Sequence, residues 1–464
     1  MRIMRRKNYL AKVVLSISIL GFIVTSCEKE QANESLDANS MQLEEAPFKN
    51  YMVITTDSEM TKSVENYIKT DGGKILSTIP EIGIAVVSSK DANFIQNTLK
   101  NKEIVSVIPD YEIKWIPSDV GEEVTPPSIG NAEPFYGYLW GMDAIDAPQA
   151  WNAGFTGKGA SVFVLDSGID AEHPDLAPNL NTELSASFYP GEHWNIRPGN
   201  YFNHGSHVSG TIAAAQNEIG VIGVAYEAEL VAVKVLSEFT GSGAFSNINA
   251  GIVYAANNGA DVINMSLGAT LNKNGTLIDA DGIPFRIPAK YIQEIIIAQQ
   301  RAIDYAFKKG TTIIASAGND ATNYDGNTSF IKLPGGLNNV ISISATAPEG
   351  WNFNPASNYD IPAHYTTYGK SLVDLAAPGG DWDVSVFDMI VSTGSTGYYF
   401  AAGTSMAAPH VSGVAALIIA KNGGQMDPLS VAQQLSNTAD KIGGEGQSVY
   451  FGKGRVNALR AVTE

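Results

Sequence analysis

Residues 161–170 read SVFVLDSGID, an apolar run from Val162 to Leu165 that stops at Asp166 and is followed by a glycine. A short strand with no polar alternation is buried on both faces, as in a parallel sheet covered by helices. The same texture recurs in ELVAVKVL (229–236), DVINMSLG (261–268), TTIIASAGND (311–320) and VISISAT (340–346). Helical runs lie between them, NINAGIVYAANNG (247–259) and IIIAQQRAIDYAFKKG (295–310). This alternation predicts an α/β domain from about Phe135 onward. Ligands bind such sheets at the carboxyl ends of the strands. Asp166, Ser266 and Asn319 end three of these runs.

The region before it has a different grain. YMVITT (51–56), GKILSTI (73–79), GIAVVSS (83–89) and EIVSVIPDYEIKWI (103–116) read as strands. EMTKSVENYIKT (59–70) and DANFIQNTLKN (91–101) read as helices, the second with Asp91 as its N-cap. The order strand, helix, strand, strand, helix, strand is the ferredoxin-like pattern, and it predicts a small α+β domain over 48–116. PSDVGEEVTPPSIGNAEP (117–134) is rich in Pro, Gly and acid and reads as a linker through residue 133. The segment Ala269–Pro288 is long for a connection, and its NKNG and DADG turn signals predict a surface hairpin.

The first 26 residues are a targeting segment. Arg2, Arg5, Arg6, Lys7 and Lys12 precede an apolar run, Val13–Val24, that is short for a membrane span. VTSC (24–27) resembles a bacterial lipobox, which implies lipidation at Cys27, the chain's single cysteine, and a polar tether over 27–47. With one cysteine no intrachain disulfide forms. The chain of 464 residues carries a formal charge of −18, and loss of residues 1–26 leaves 25 basic against 48 acidic residues. An exported acidic product of this kind is not a nucleic-acid binder.

Two further stretches carry chemistry. NHGSHVSGT (203–211) offers His204 and His207, without the HExxH spacing or third ligand of a metallohydrolase. FAAGTSMAAPH (400–410) sets Ser405 before an apolar helix. Pro409, four residues on, lacks the N–H that would bond the Ser405 carbonyl, so the helix must begin near Ser405. The chain order is therefore Asp, His, Ser.

VFVLDSGI, HGSHVSGT and GTSMAAPHVSG resemble the three signatures of subtilisin-like serine proteases, the subtilases, and the likeness spans 134–464 with INMSLG, SAGN and GSGAFS. The resemblance implies a subtilisin-like, doubly wound, mostly parallel sheet with helices on both faces. It implies a serine endopeptidase with Ser405 as nucleophile, His204 as base, Asp166 as its orienting carboxylate and Asn319 as oxyanion donor, with no cofactor for catalysis. His207 and His410 are then packing residues. Ser242, Gly243 and Ala244 would form one wall for a peptide or protein substrate and Ser266, Leu267 and Gly268 the other. Ser316, Ala317 and Gly318 would flank the primary pocket.

FIKLPGG (330–336) resembles the segment that closes this pocket, with Pro334 a candidate for a cis bond. Lys332 stands there where small or polar residues are usual; either it favours an acidic side chain before the scissile bond or it snorkels outward. Asp175 and Asn217, with carbonyls of Ala215, Ile219 and Val221, match a structural calcium site, although no N-terminal glutamine ligand is evident near Tyr136. Residues 48–116 resemble the family's inhibitory propeptide, with DYEIKWIP (110–117) as the strand left in the cleft and self-cleavage between Ile116 and Pro134. The lipid anchor would then hold the precursor at the membrane, and the mature enzyme would be cell-surface or extracellular. A silent peptide-binding scaffold would be expected to have lost one of the three motifs, and all three are present.

Overall fold

The computed structural model describes residues 50–116, 121–122, 133–197, 203–279, 283–354, 356–395, 397–444 and 446–464. The targeting segment, Cys27, the tether and most of the linker lie outside the described residues. The described residues belong to one compact unit.

The small domain runs β1 (Asn50–Thr55), α1 (Lys62–Thr70), β2 (Lys74–Ile79), β3 (Ile84–Ser88), α2 (Phe94–Thr98) and β4 (Ile104–Pro109). Its strands pair antiparallel in the order β2-β3-β1-β4, as the ferredoxin-like reading expects. Both faces of this sheet are covered. Val53, Ala85, Val87 and Val107 pack on Val64, Ile68 and Phe94 of its own helices. Met52, Ile54, Ile84 and Ile108 point the other way, into a core shared with the large domain. That is why MVI in β1 is unbroken: alternate residues serve different neighbours. One expectation fails here. Asp91 is not the N-cap of α2, because the helix begins at Phe94 and the Asp91 carboxylate accepts from Asn93 N in the preceding turn.

The chain then extends through β5 (Glu112–Lys114). In the large domain we number β6 (Ser161–Asp166), α3 (His204–Ala213), β7 (Glu229–Lys234), β8 (Ser242–Ala244), α4 (Phe245–Asn257), β9 (Val262–Met265), β10 (Ala269–Asn272), α5 (Ala289–Lys308), β11 (Thr312–Ser316), β12 (Phe330–Leu333), β13 (Ile341–Ala347), β14 (Leu375–Pro378) and α6 (Thr404–Lys421). Strands β13, β11, β9, β6 and β7 lie side by side and parallel, with β14 parallel on β13. Short strands Ile361–Pro362, antiparallel to β13, and Ala186–Ser187 flank the sheet. Val162 and Val164 face a core built with α3 and α6, while Phe163 and Leu165 face one built with α4 and α5. The sheet is doubly covered, as its continuous apolar runs require. A surface hairpin does form, from Thr276–Ile278 and Pro284–Arg286, while β10 pairs instead with β12.

Helix α6 is buried around its whole circumference from Thr404 to Ile419, so it is the central helix of its layer. His207 on α3 and His410 on α6 are buried within this layer. His207 bonds Ile390 O through Nε2 at 3.0 Å, and His410 bonds Met406 O through Nδ1 at 2.8 Å. Desolvation, with the charge of nearby His204 adding to it, pushes His207 down to about 3, and desolvation pushes His410 down to about 4.

The folded state therefore holds both rings neutral, whereas the unfolded chain protonates them near pH 6.5. Their contribution is complete above pH 6.5 and is lost as pH falls toward 4, by on the order of 1 kcal/mol per pH unit for each ring. Melting of the Ser405→Ala protein at pH 7 and pH 5 should show a fall in Tm on acidification that is shallower in Ser405→Ala/His410→Asn. Equal falls in both proteins would remove His410 from the acid response.

Candidate active site

Asp166 closes β6, and its carbonyl accepts from Val235 N and Leu236 N at 2.9 and 3.2 Å, which fixes the strand end against the loop after β7. His204 is the first residue of α3. Gly205 lets the helix start there: a Cβ at that position would stand 2.2 Å from Gly168 O and 3.1 Å from Asp166 Cβ. His204 Nδ1 lies 2.9 and 3.0 Å from the two carboxylate oxygens of Asp166, and both side chains are buried. A carboxylate only accepts, so Nδ1 carries the proton and Nε2 is the basic atom of the ring.

Helix α6 begins at Thr404, one residue before Ser405, with Pro409 inside it. The Ser405 carbonyl, left without its helical partner, accepts from Ser266 Oγ at 2.8 Å. In return Ser405 Oγ donates to Ser266 O at 3.0 Å. Asn264 Nδ2 donates to Ser266 Oγ, and Ser412 Oγ donates to Asn264 Oδ1, so one buried chain of hydrogen bonds joins β9 to α6. Asn319 lies beyond the end of β11. Its Oδ1 accepts from Thr404 N at 3.0 Å and from Thr404 Oγ1 at 2.7 Å. Two donors on the oxygen fix the amide's orientation and commit Nδ2 as the outward donor, beside Gly403. The sequence did not single out Thr404; its only signal was a hydroxyl next to Ser405.

The groove expected for substrate holds a strand of this same chain. β5 pairs antiparallel with β8, with Lys114 opposite Ser242, Ile113 opposite Gly243 and Glu112 opposite Ala244. Gly268 N donates to Trp115 O at 3.0 Å from the other wall. The indole of Trp115 donates to Gly243 O at 2.9 Å and meets Phe245 edge-on at 4.9 Å. Just before this strand, Asp110 accepts from Ser246 Oγ and Ser246 N at the start of α4, a helix whose own N-cap, Ala244, has no side-chain acceptor. Leu267, Ser316 and Ala317 are buried in the second wall, with Ser316 Oγ donating to Leu267 O. The Leu333–Pro334 bond is cis. Lys332 is buried and paired with Asp320.

Asp175 and Asn217 also meet. Asn217 Nδ2 lies 3.2 Å from Asp175 Oδ1, Val221 N donates to Asp175 Oδ2 at 3.0 Å, and Ala215 N donates to Asp175 O. Ile219 N donates to Asn217 Oδ1. Glu133, assigned from sequence to the linker, joins them: its Oε1 accepts from Asn217 N and Glu218 N, and its buried Oε2 has no hydrogen-bond partner. Burial first, and the Glu133 charge last among the causes, push Asp175 up to about 6. Two carboxylates and an amide beside an unsatisfied carboxylate oxygen suit a hard divalent cation. A different group, His364 with Asp381 and Asp383, is more exposed, with His364 Nδ1 2.7 and 3.3 Å from their oxygens.

A hydroxyl at a helix start, an imidazole oriented by a buried carboxylate and a fixed amide donor, set at the carboxyl ends of the neighbouring parallel strands β6, β9 and β11, are the parts of a serine hydrolase. The model of the subtilase family matches residues 157–454. The chain is 34% identical over 458 residues to M-protease of Shouchella clausii, covering 98% of this chain and 99% of that protein. It is 38% identical over 324 residues to subtilisin Savinase of Lederbergia lenta, covering 69% and 97%. The fold is also that of an epidermin leader peptide processing serine protease from Staphylococcus aureus, with a TM-score of 0.70 at 22% identity over 89% of this chain and 97% of that one. This chain belongs to the subtilase family and is a serine endopeptidase.

The Ser266–Ser405 exchange generates a stability test on the Ser405→Ala protein, which keeps the backbone carbonyl. Ser266→Ala should cost about 1–3 kcal/mol in urea unfolding, because it strands that carbonyl. In a Pro409→Ala background the new N–H reaches the same carbonyl, and the cost of Ser266→Ala should shrink. An undiminished cost would assign the loss to the Asn264 contact instead.

Proposed function

We propose that this protein is an exported serine endopeptidase made as a self-processing zymogen. Ser405 Oγ attacks the scissile carbonyl carbon while His204 Nε2 takes its proton. The imidazolium then protonates the leaving amine as the C–N bond breaks, leaving an acyl ester on Ser405. Water, deprotonated by the same ring, hydrolyses the ester. Asp166 keeps Nδ1 protonated and stabilises the imidazolium. Asn319 Nδ2 and the Ser405 N–H at the helix start meet the developing oxyanion. Loss of the corresponding Asn in a subtilisin costs about 100- to 1000-fold in turnover, a magnitude that comes from that relative.

The observation that carries this reading is the segment 112–115, strand β5 and the Trp115 that follows it, hydrogen-bonded to both walls of the groove. An extended peptide binds an open sheet edge in the same way, with backbone bonds for affinity and pockets for choice. On this reading residues 48–116 are an inhibitory propeptide, cut from the enzyme between Ile116 and Pro134. Signal peptide, Cys27 lipid and tether then belong to the removed part, and the mature enzyme acts on proteins or peptides at or outside the cell surface. Among the described residues no helix is long and apolar enough to cross a membrane.

Intact mass and fluorophosphonate labelling of the wild type and Ser405→Ala test this. The wild type should lose everything before a site in 117–133 and take the label, and the variant should do neither. Two full-length, unlabelled proteins would favour a peptide-binding scaffold.

We also propose that calcium is held by Asp175, Glu133, Asn217 and carbonyls of the 215–221 loop. The ion would supply positive charge between two buried carboxylates and tie the mature N-terminal segment to the loop. Removal of calcium by chelator should lower the Tm of the mature enzyme by several degrees, on the order of 1–3 kcal/mol. Asp175→Asn should be insensitive to both calcium and chelator. A wild type with the same Tm under both conditions would refute the site.

A further inference from the structure

Lys332 lies between the backbone at Gly268 and that at Gly318, the segments that the subtilase resemblance assigns to the primary pocket. Strand β12 pairs with β10 so that Lys332 stands opposite Thr270, two residues past Gly268. A Cβ on Gly268 would lie 3.3 Å from Lys332 Cε, and a Cβ on Gly318 would lie 2.2 Å from Lys332 Nζ. The ammonium thus lies between these glycines. Gly318, at φ +107°, has a backbone conformation that favours glycine.

The ammonium is not a lone cation. Its Nζ donates to Asp320 Oδ2 at 2.9 Å and to Thr270 Oγ1 at 3.1 Å, and Thr270 Oγ1 itself donates to the same carboxylate oxygen at 2.8 Å. Lys332 is 4% exposed, whereas Asp320 is 44% exposed at the outer side. Burial acts to raise the Asp320 carboxyl, but the Lys332 charge and its hydrogen bonds outweigh it and hold the group below its usual range. Asp320 is therefore a carboxylate at neutral pH, with the Lys332 ammonium as its ion-pair partner. The acidic preference expected from Lys332 alone neglects this opposing charge.

We propose that Asp320, through its pair with Lys332, sets the choice of residue before the scissile bond: a shortened, charge-neutral polar pocket that takes small or short uncharged polar side chains. The inference rests on the peptidase reading above. An ammonium has three donors and two are used, which leaves one for a neutral acceptor such as an Asn or Ser side chain. A large apolar side chain would displace or desolvate the pair without replacing its hydrogen bonds. An acidic side chain would meet the Asp320 carboxylate beside the ammonium.

The test uses the mature enzyme and fluorogenic peptides that differ only before the scissile bond, as Ala, Ser, Asn, Phe, Leu or Glu. Wild-type kcat/KM should favour Ala, Ser and Asn over Phe, Leu and Glu by about tenfold or more. Asp320→Asn should raise Glu relative to Asn by about tenfold, and Lys332→Ala should raise Phe and Leu by a similar factor. Lys332→Met, closer in length, replaces Lys332→Ala should that variant fail to fold, and should lose the polar preference.

Fluorophosphonate labelling of Ser405 is read in parallel for each protein. Labelled variants that keep the wild-type order overturn the role of the pair. So does a wild type that labels and prefers Phe or Leu, or one that prefers Glu whether or not Asp320 is present. A wild type that neither labels nor cleaves any peptide overturns the peptidase reading itself.

Discussion

Two hydrogen bonds between Ser266 and Ser405 tie the central helix to the carboxyl end of the interior strand β9, and the site depends on that tie. Pro409, inside the helix, removes the helical partner of the Ser405 carbonyl and leaves it for Ser266. Each residue of an α-helix turns about 100°, so a start displaced by one residue would aim the Ser405 hydroxyl elsewhere. Ser266 answers the orphaned carbonyl, Asn264 and Ser412 answer Ser266, and no member of this buried chain is left to water. A satisfied polar network inside an apolar layer specifies one arrangement, because any slip strands a buried group. Thr404 extends the same logic to the neighbouring strand by clamping the amide of Asn319.

The small domain is held by the same kind of double use. Its sheet spends one face on its own two helices and the other on α4 and α5. Asp110 caps α4 from outside the large domain. Arg301 on α5 donates to Thr55 O, and Asn257 of α4 to Glu81. None of these contacts runs through the linker. On the zymogen reading, cutting the linker therefore severs connectivity without removing any of them, and the cleft stays filled until the small domain unfolds or is digested.

The parallel sheet was legible because burial on both faces writes itself as an unbroken apolar run, and the covering helices confirm why. The positions of Asp166, His204 and Ser405 were legible because each sits at a local event, a strand end or a helix start, that neighbouring residues enforce. What stayed hidden depends on partners far along the chain. Glu133 lies in a segment that reads as linker, yet it reaches Asn217 and Glu218. Asp320 follows Asn319 directly, but nothing local pairs it with Lys332, twelve residues on and in another strand. Asp91 misled because an acid before a helix serves equally well to close the turn that precedes it.

The acidity of the chain acquires a local meaning around the site. Asp166 faces the ring of His204, Asp320 faces Lys332, and Glu192 and Glu238 both face the ammonium of Lys234, which is wholly buried opposite Asp166 in the next strand. Each of these carboxylates has a cation or an N–H of a titratable ring to offset the cost of leaving water. Asp175 and Glu133 differ. Among the described residues neither is paired with a lysine or arginine, and what surrounds them is amide N–H groups, a tyrosine hydroxyl and each other. Burial first, and the neighbouring Glu133 charge last, raise the Asp175 carboxyl, and added positive charge would offset both. On the calcium reading the ion supplies here the charge that Lys332 supplies to Asp320 and Lys234 to Glu192 and Glu238.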